Sequence, residues 1–210
     1  MRRKTNLRVG VISDIHADLG ALERSLSFLV GQRIDRIVCL GDVVEKGDDG
    51  DAVVATLNTW TIPVVAGNHD HNSIRHATLD RPFRHPSVQS LRPETIAQLK
   101  TYPMSRLMCW EGWWVMMAHA LPGDNGVYVY EDKIPRRLKK ALRTQPADIL
   151  MMGHTHRPMA TRWNRMWLLN PGSVARARTR DSFTCGILAL PTFRWTVYDL
   201  STGAIVLDVT

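Results

Sequence analysis

The sequence predicts an α/β fold built as one domain, and three observations carry that expectation. In the N-terminal half, apolar runs of strand length alternate with segments of helical spacing. This βαβαβ order argues for a parallel sheet with helices packed on it. The C-terminal part reads as successive strands with tight turns between them, which favours antiparallel pairing. The 210 residues are 44% hydrophobic and 22% charged, ordinary for a globular protein, and no linker cuts the chain. Residues 1–210 are therefore read as a single domain.

Residues 7–13 (LRVGVIS) form the first strand, apolar and bounded by polar residues. Asp18 can cap the next helix, in which Leu19, Leu22, Leu26 and Leu29 fall at helical spacing up to Gly31. Residues 36–40 (RIVCL) are the second strand, 51–60 a helix, and 62–66 (IPVVA) the third strand. A helix is expected over 93–101, since Pro93 suits a first helical turn and Pro103 stops it. Strands resume at 113–118 (WWVMMA) and 148–152 (DILMM), with a basic helix over 134–143 between them. MWLLN, FTCGILAL, FRWTVYDL and AIVLDVT supply the remaining strands. The stretch 71–110 breaks the alternation and reads as a cap or insert. Its Arg75, Arg81, Arg84 and Arg92 would gather anionic substrate.

Composition excludes several classes. Disorder and fibrous structure do not fit, and no apolar run approaches the roughly 18 to 20 residues that span a bilayer. The apolar stretch after Met1-Arg2-Arg3-Lys4 ends too soon, at Ser13-Asp14, to be a signal peptide, so a cytoplasmic protein is expected. Cys39, Cys109 and Cys185 are too few and scattered for a disulfide framework, and Cys39 and Cys185 read as buried thiols. The formal charge of +7 favours anionic partners such as phosphate esters, nucleotides or nucleic acid.

The chemistry gathers at the strand ends. The first strand closes on Asp14-Ile15-His16, the second on Gly41-Asp42 with Gly47 after it, and the third on Gly67-Asn68-His69-Asp70. The fourth closes on His119 and the fifth on Gly153-His154-Thr155-His156. Alone, each piece has an ordinary explanation as a cap, a turn or a core histidine. Together they deliver carboxylate, imidazole and amide oxygen to the carboxyl ends of successive strands, where open α/β sheets bind ligands. A donor set without thiolate suits Mn²⁺, Fe or Zn²⁺. Seven candidates exceed one open tetrahedral site and suit two ions roughly 3.5–4 Å apart, with the Asp42 carboxylate as the natural bridge.

In this order, DxH, GD(x)nG, GNHD, a lone His and GHTH resemble the motifs of the calcineurin-like metallophosphoesterase superfamily. Asn170-Pro171-Gly172-Ser173-Val174 resembles the NPGSV segment of its small bacterial phosphodiesterases and phosphatases of the YfcE type. The resemblance covers nearly the whole chain. It implies a four-layer α/β/β/α sandwich, two mixed β-sheets flanked by helices. It also implies that Asp14, His16 and His156 bind a first metal and Asn68, His119 and His154 a second, with Asp42 bridging. The ions would be two divalent transition metals, Mn²⁺ before Fe, Zn²⁺ or Ni²⁺. The implied reaction is hydrolysis of a phosphomonoester or phosphodiester by in-line attack of a metal-bridging hydroxide, with His69 as general acid and Asn68 also facing substrate. Glu45 or Asp70 would hold the His69 ring.

The chain also departs from the family pattern. Ala120 follows His119 where the family often has Gly. Gly41-Asp42-Val43-Val44-Glu45-Lys46-Gly47 is similar to the Gly-Asp-x-Val-Asp-Arg-Gly of protein serine/threonine phosphatases, where Asp orients the catalytic His and Arg holds phosphate. Glu45 and Lys46 keep those charges; an exposed ion-rich loop is the alternative. The basic helix with Arg136, Arg137, Lys139 and Lys140 reads as a docked amphipathic helix with a solvated face, the alternative being a track for nucleic acid. Trp60, Trp167 and Trp195 are expected in the core. The rivals to a phosphoesterase are a nucleotide or nucleic-acid phosphodiesterase using the basic surface, and a non-catalytic scaffold of the same fold.

Overall fold

A computed structural model of the chain describes residues 6–78, 90–143, 147–175 and 183–210. Two five-stranded mixed sheets face each other. The first has the order β10–β9–β8–β1–β2, from β1 (Leu7–Ile12), β2 (Arg36–Cys39), β8 (Thr184–Leu190), β9 (Arg194–Asp199) and β10 (Ile205–Val209). The second has the order β3–β4–β5–β7–β6, from β3 (Ser105–Trp110), β4 (Trp113–Ala118), β5 (Ile149–Met151), β6 (Pro158–Trp163) and β7 (Met166–Pro171). The helices are α1 (Leu19–Gly31), α2 (Gly50–Thr59), α3 (Asn68–Ala77), α4 (Pro93–Leu99) and α5 (Arg136–Leu142).

Period-two side-chain alternation sorts the apolar residues into layers. Val9 and Val11 of β1 point inward and meet Val115 and Met117 of β4 and Ile149 and Met151 of β5 between the sheets. Ile12 points outward, under Leu22 and Leu29 of α1, Leu57 of α2 and Leu99 of α4. On the far side, Met116 and Leu150 pack under Leu138 and Leu142 of α5. These layers give the expected four-layer sandwich. A one-residue slip in β1 or β4 would exchange its two buried faces, so the apolar pattern on both sides fixes the register.

α1 begins where the sequence places it, and the Asp18 side chain accepts a hydrogen bond from the Ala21 amide at 2.8 Å. Residues 62–66 run parallel beside β2 and are held to Cys39 by its amide to the Pro63 carbonyl (2.9 Å) and by the Val65 amide to its carbonyl (3.2 Å). Three elements were not expected. β3 and β6 are sheet edges with partly exposed faces, and their apolar residues are too few and too mixed with polar ones to stand out as strands. α3 is polar apart from Ile74 and Ala77 and fully buries only Asp70 and Ser73, leaving no helical stripe to read. β7, expected among antiparallel strands, pairs parallel with β5 because the unanticipated β6 supplies its antiparallel hairpin partner. Of the stretch 71–110, the described part continues α3, forms α4 against the α1–α2 layer and ends in β3; Arg81 and Arg84 lie outside the described residues. Trp195 is fully buried, but Trp60 caps the end of α2 and is 45% exposed. No helix among the described residues is long and apolar enough to cross a membrane.

Candidate metal centre

The carboxyl ends of β1 and β2 in one sheet and of β4 and β5 in the other converge on a single rim. Two glycines allow this convergence. A Cβ on Gly67 would stand 2.0 Å from Asp42 Oδ1, and one on Gly153 would stand 1.9 Å from Ser13 Oγ and 2.6 Å from Asp14 Oδ2. At the rim the backbone leaves β geometry. Asp14, His16, Asp42, His154 and His156 all have φ between 51° and 67°, and Glu45 and Lys46 reach 67° and 72°. Each non-glycine residue there costs on the order of 1–2 kcal/mol, and such strain persists only where the surroundings enforce it. Here a cross-loop ladder enforces it: the Asp14 amide donates to Gly41 O (3.0 Å), His16 to Asp42 O (2.9 Å) and Gly47 to His16 O (2.9 Å). Asp70 completes the frame. Its buried carboxylate accepts from the amides of Gly67, Asp42 and Val43 at 2.8, 3.0 and 2.9 Å and from Val44 at 3.3 Å.

Three overlapping donor groups result, each with its ligand atoms within 4.8 Å of one another: Asp14, His16 and His156; His16, Asp42 and His69; Asp42, His119 and His154. In the first, the Nε2 atoms of His16 and His156 face each other at 3.0 Å, and Asp14 Oδ1 lies 3.2 Å from His156 Nε2 and 3.9 Å from His16 Nε2. In the third, His119 Nδ1 lies 2.7 Å from the Leu40 carbonyl, which can only accept, so Nδ1 carries the proton and Nε2 is left to face outward. That Nε2 stands 3.2 Å from both Asp42 Oδ2 and Asn68 Oδ1. His154 Nε2 is buried without a hydrogen-bond partner. Imidazole nitrogens and carboxylate and amide oxygens converging this closely fit cations held at the rim. Asp42 belongs to two of the groups and lies where they meet.

The electrostatics agree. Burial would raise the carboxyl of Asp42, but His119, His16 and His69 around it hold it well below the usual carboxylate range. Asp14 is likewise held down against burial, by His156 and His119. Burial pushes His16 down to about 3 despite Asp42 and Asp14, and burial with His119 pushes His154 down to about 4, so both present neutral imidazoles. For His119, burial is outweighed by Asp42 and Asp14, which lift it to about 9. A proton there neutralises the carboxylate as a cation would. Asp70 is pushed up to about 6 by burial and by Asp42.

The remaining predicted residues separate by role. His69 Nδ1 is hydrogen-bonded to Glu45 Oε2, and Ser73 Oγ donates to the other Glu45 oxygen at 3.2 Å. Glu45 is therefore a buried part of the site and not a member of an exposed loop. Asp70 spends its oxygens on backbone amides, so the contact to the His69 ring falls to Glu45. Lys46 Nζ lies 3.0 Å from His16 Nε2. Lys46, Asn68, His69 and Tyr128 line a cavity of about 230 Å³ above Asp42, His154 and His156. Sequence reasoning missed Ser73 and Tyr128, and gave Asn170 no role of its own. Asn170 donates to the Gly153 carbonyl at 2.7 Å and to Thr155 Oγ1 at 3.1 Å, which holds the loop carrying His154 and His156. The Asn-Pro-Gly-Ser-Val run was the available signal for it; Ser73 and Tyr128 had none.

A model of the calcineurin-like phosphoesterase superfamily domain matches residues 7–192. The chain belongs to that superfamily. Its fold is that of YfcE, a phosphoesterase from E. coli, at 22% identity and a TM-score of 0.64, covering 97% of this chain and 98% of that one. Vacuolar protein sorting 29 from Cryptosporidium parvum shares the fold at 20% identity and a TM-score of 0.65, covering 98% of each chain. The uncharacterized protein MJ0912 of Methanocaldococcus jannaschii is 25% identical, covering 81% of this chain and 77% of its own.

Proposed function

We propose that the chain is a dinuclear metal-dependent phosphoesterase that hydrolyses phosphomono- or phosphodiester bonds. The observation that carries this reading is the convergence on one rim of two donor groups, Asp14, His16 and His156 and, beside them, Asp42, His119 and His154. Asp14, His16 and His156 would hold one divalent ion and Asn68, His119 and His154 the other, with Asp42 shared. The oxygen and nitrogen donors suit Mn²⁺ best, and Fe, Zn²⁺ or Ni²⁺ also fit them. Two such ions polarise phosphoryl oxygens and make water acidic enough to attack near neutral pH.

The protein's own groups do the rest. Lys46 supplies a partly buried cation beside the metal ligands, and burial holds it below its ordinary value. Once His16 Nε2 is a ligand it cannot also accept from Lys46, so the ammonium turns to the phosphate in the cavity. Asn68 presents its amide from the first residue of α3. Glu45, braced by Ser73, fixes the His69 ring through Nδ1 and leaves Nε2, 4.0 Å from Asp42 Oδ2, to protonate the departing alkoxide. A scaffold of the same fold has no need of Glu45 and Ser73 behind His69, and that arrangement supports the catalytic reading. The test is metal content together with turnover. The purified chain should take up about two Mn²⁺ and hydrolyse p-nitrophenyl phosphate or its bis-ester. No bound metal, or no turnover of any phosphate ester when loaded, overturns the proposal.

A further inference from the structure

Beyond the metal ligands the cavity has one aromatic wall. Tyr128 is 55% exposed, and its ring lies over His154, with centroids 4.1 Å apart and planes inclined by 32°. Tyr130 follows with its ring nearly parallel to that of Tyr128, at 7° and 6.3 Å between centroids. The Arg157 guanidinium sits 5.5 Å from the Tyr130 centroid. Behind them opens a second cavity of about 460 Å³, lined by Tyr130, Glu131, Asp132, Thr155 and Arg157. Thr155 lines both cavities, so they adjoin, and the hydrogen bond from Asn170 fixes that shared wall.

We propose that Tyr128, Tyr130 and Arg157 form a stacking subsite that selects phosphate esters of a mononucleotide type, with the base on the tyrosine ladder and the phosphate at the metal centre. The inference rests on the phosphoesterase reading and names its substrate class. An exposed tyrosine beside a polar, charged centre offers a flat apolar face, and nucleobases stack on such faces. Arg157 extends the platform by stacking and cation–π contact. Glu131 and Asp132 at the far end can accept hydrogen bonds from the amino and imino groups of a base. The same two carboxylates repel a continuing phosphate backbone, so the pocket fits a single nucleotide unit and not a polynucleotide strand. The apolar face of α5 docks on the second sheet through Leu138 and Leu142, and Arg137 pairs with Asp124 at 3.7 Å.

The test compares the Mn²⁺-loaded wild type with Tyr128→Ala, Tyr128→Phe and Arg157→Ala, and uses Trp114→Ala as an exposed-aromatic control from β4. Substrates are a nucleoside monophosphate, glycerol phosphate and a single-stranded oligonucleotide, with melting temperatures read in parallel. Tyr128→Ala should raise KM for the nucleotide on the order of ten- to a hundred-fold, with far less effect on glycerol phosphate. Tyr128→Phe, which keeps the ring, should lose far less on the nucleotide than Tyr128→Ala, and Trp114→Ala should change neither substrate. Binding of a fluorescent mononucleotide analogue, read by quenching of the analogue's own emission, should weaken in parallel. Equal losses on nucleotide and glycerol phosphate, no effect of Tyr128→Ala on nucleotide, or a preference for the oligonucleotide would overturn the subsite. If the wild type turns over no ester, the phosphoesterase reading has failed; the quenching titration then still decides whether the tyrosines bind a nucleotide.

Discussion

In the ladder β8–β9–β10, β9 pairs antiparallel with β8 and β10 with β9, and each turn is short. Trp195 is fully buried there, its ring packed where a Cβ on Gly186 would stand. Asp199 closes the last turn by accepting from the amides of Ser201 and Thr202 at 2.7 and 2.9 Å. On the other side of the same sheet, β1 and β2 end in residues with left-handed backbone, buried carboxylates and lone pairs without partners. The ladder satisfies its backbone groups locally. The rim is satisfied only by contacts that cross the molecule, from Asp14 to His156 and from Asp42 to His119, and by ions it would hold. Stability resides in the first arrangement and chemistry in the second.

Asp42→Asn tests this contrast most severely. It removes the charge shared by two donor groups and leaves the shape nearly unchanged. Metal ions supply several kcal/mol of transition-state stabilisation, so kcat/KM should fall about 10³-fold or more, and metal content should fall at both sites. Hydrogen exchange in β8–β10 should be unaffected. Full metal occupancy in the variant would remove Asp42 from the bridging position.

His69→Asn should act on one step only. Both metals should remain, because His69 faces the cavity from Glu45 and Ser73. The rate should drop on the order of 10²–10⁴ for an alkyl ester and much less for p-nitrophenolate, which leaves without a proton. Equal losses on the two esters would show that His69 acts elsewhere than on the leaving group.

The same contrast explains what could be read from the sequence. The layers were legible because β1, β4, β8 and β9 carry long apolar runs whose alternation survives burial on both faces. The rim was legible because its donors sit directly after the apolar strands β1, β2, β4 and β5 and after residues 62–66. β3, β6 and α3 were not, because edge strands and a polar helix bury too little to leave a periodic trace. Nor could spacing divide the work between Glu45 and Asp70. Glu45 reaches His69 and Asp70 turns back to the amides of residues 42–44 and 67, an assignment that depends on how two loops cross.

A smaller effect should appear in the chelated protein as pH falls. The folded protein holds His16 near 3 and His154 near 4, against an ordinary value of 6.5. Unfolding therefore takes up protons below about 6.5, and stability is lost as pH falls from there toward 4. His119, lifted to about 9, acts in the opposite sense, and its contribution is lost as pH rises from 6.5 through 9. The melting temperature of the EDTA-treated chain should thus peak near neutrality, and Mn²⁺ should steepen the acid limb, because its binding displaces the proton of His119 and fades as the liganding histidines take up protons. An acid limb that Mn²⁺ leaves unchanged would mean that these histidines do not bind it.

The smallest effect is expected from the best-formed ion pair in the ladder. Arg194 meets Asp208 with both Nε and Nη2, at 2.9 and 2.7 Å, and Thr196 Oγ1 adds a third hydrogen bond at 2.9 Å. The geometry is better than that of any charged contact at the rim, yet both side chains are open to water. Solvent screens the attraction, and ordering two long side chains offsets much of what is left. Around them β9 and β10 are already held by backbone pairing from Trp195 to Val209 and by the buried Trp195 ring. Arg194→Gln should therefore leave the melting temperature within the scatter of replicate scans and leave phosphate-ester turnover untouched. At the rim, removing one charge with worse geometry should abolish function. A clear loss of stability in Arg194→Gln, shrinking at high salt, would show that the ladder also depends on charge, and that burial is not what separates the two regions.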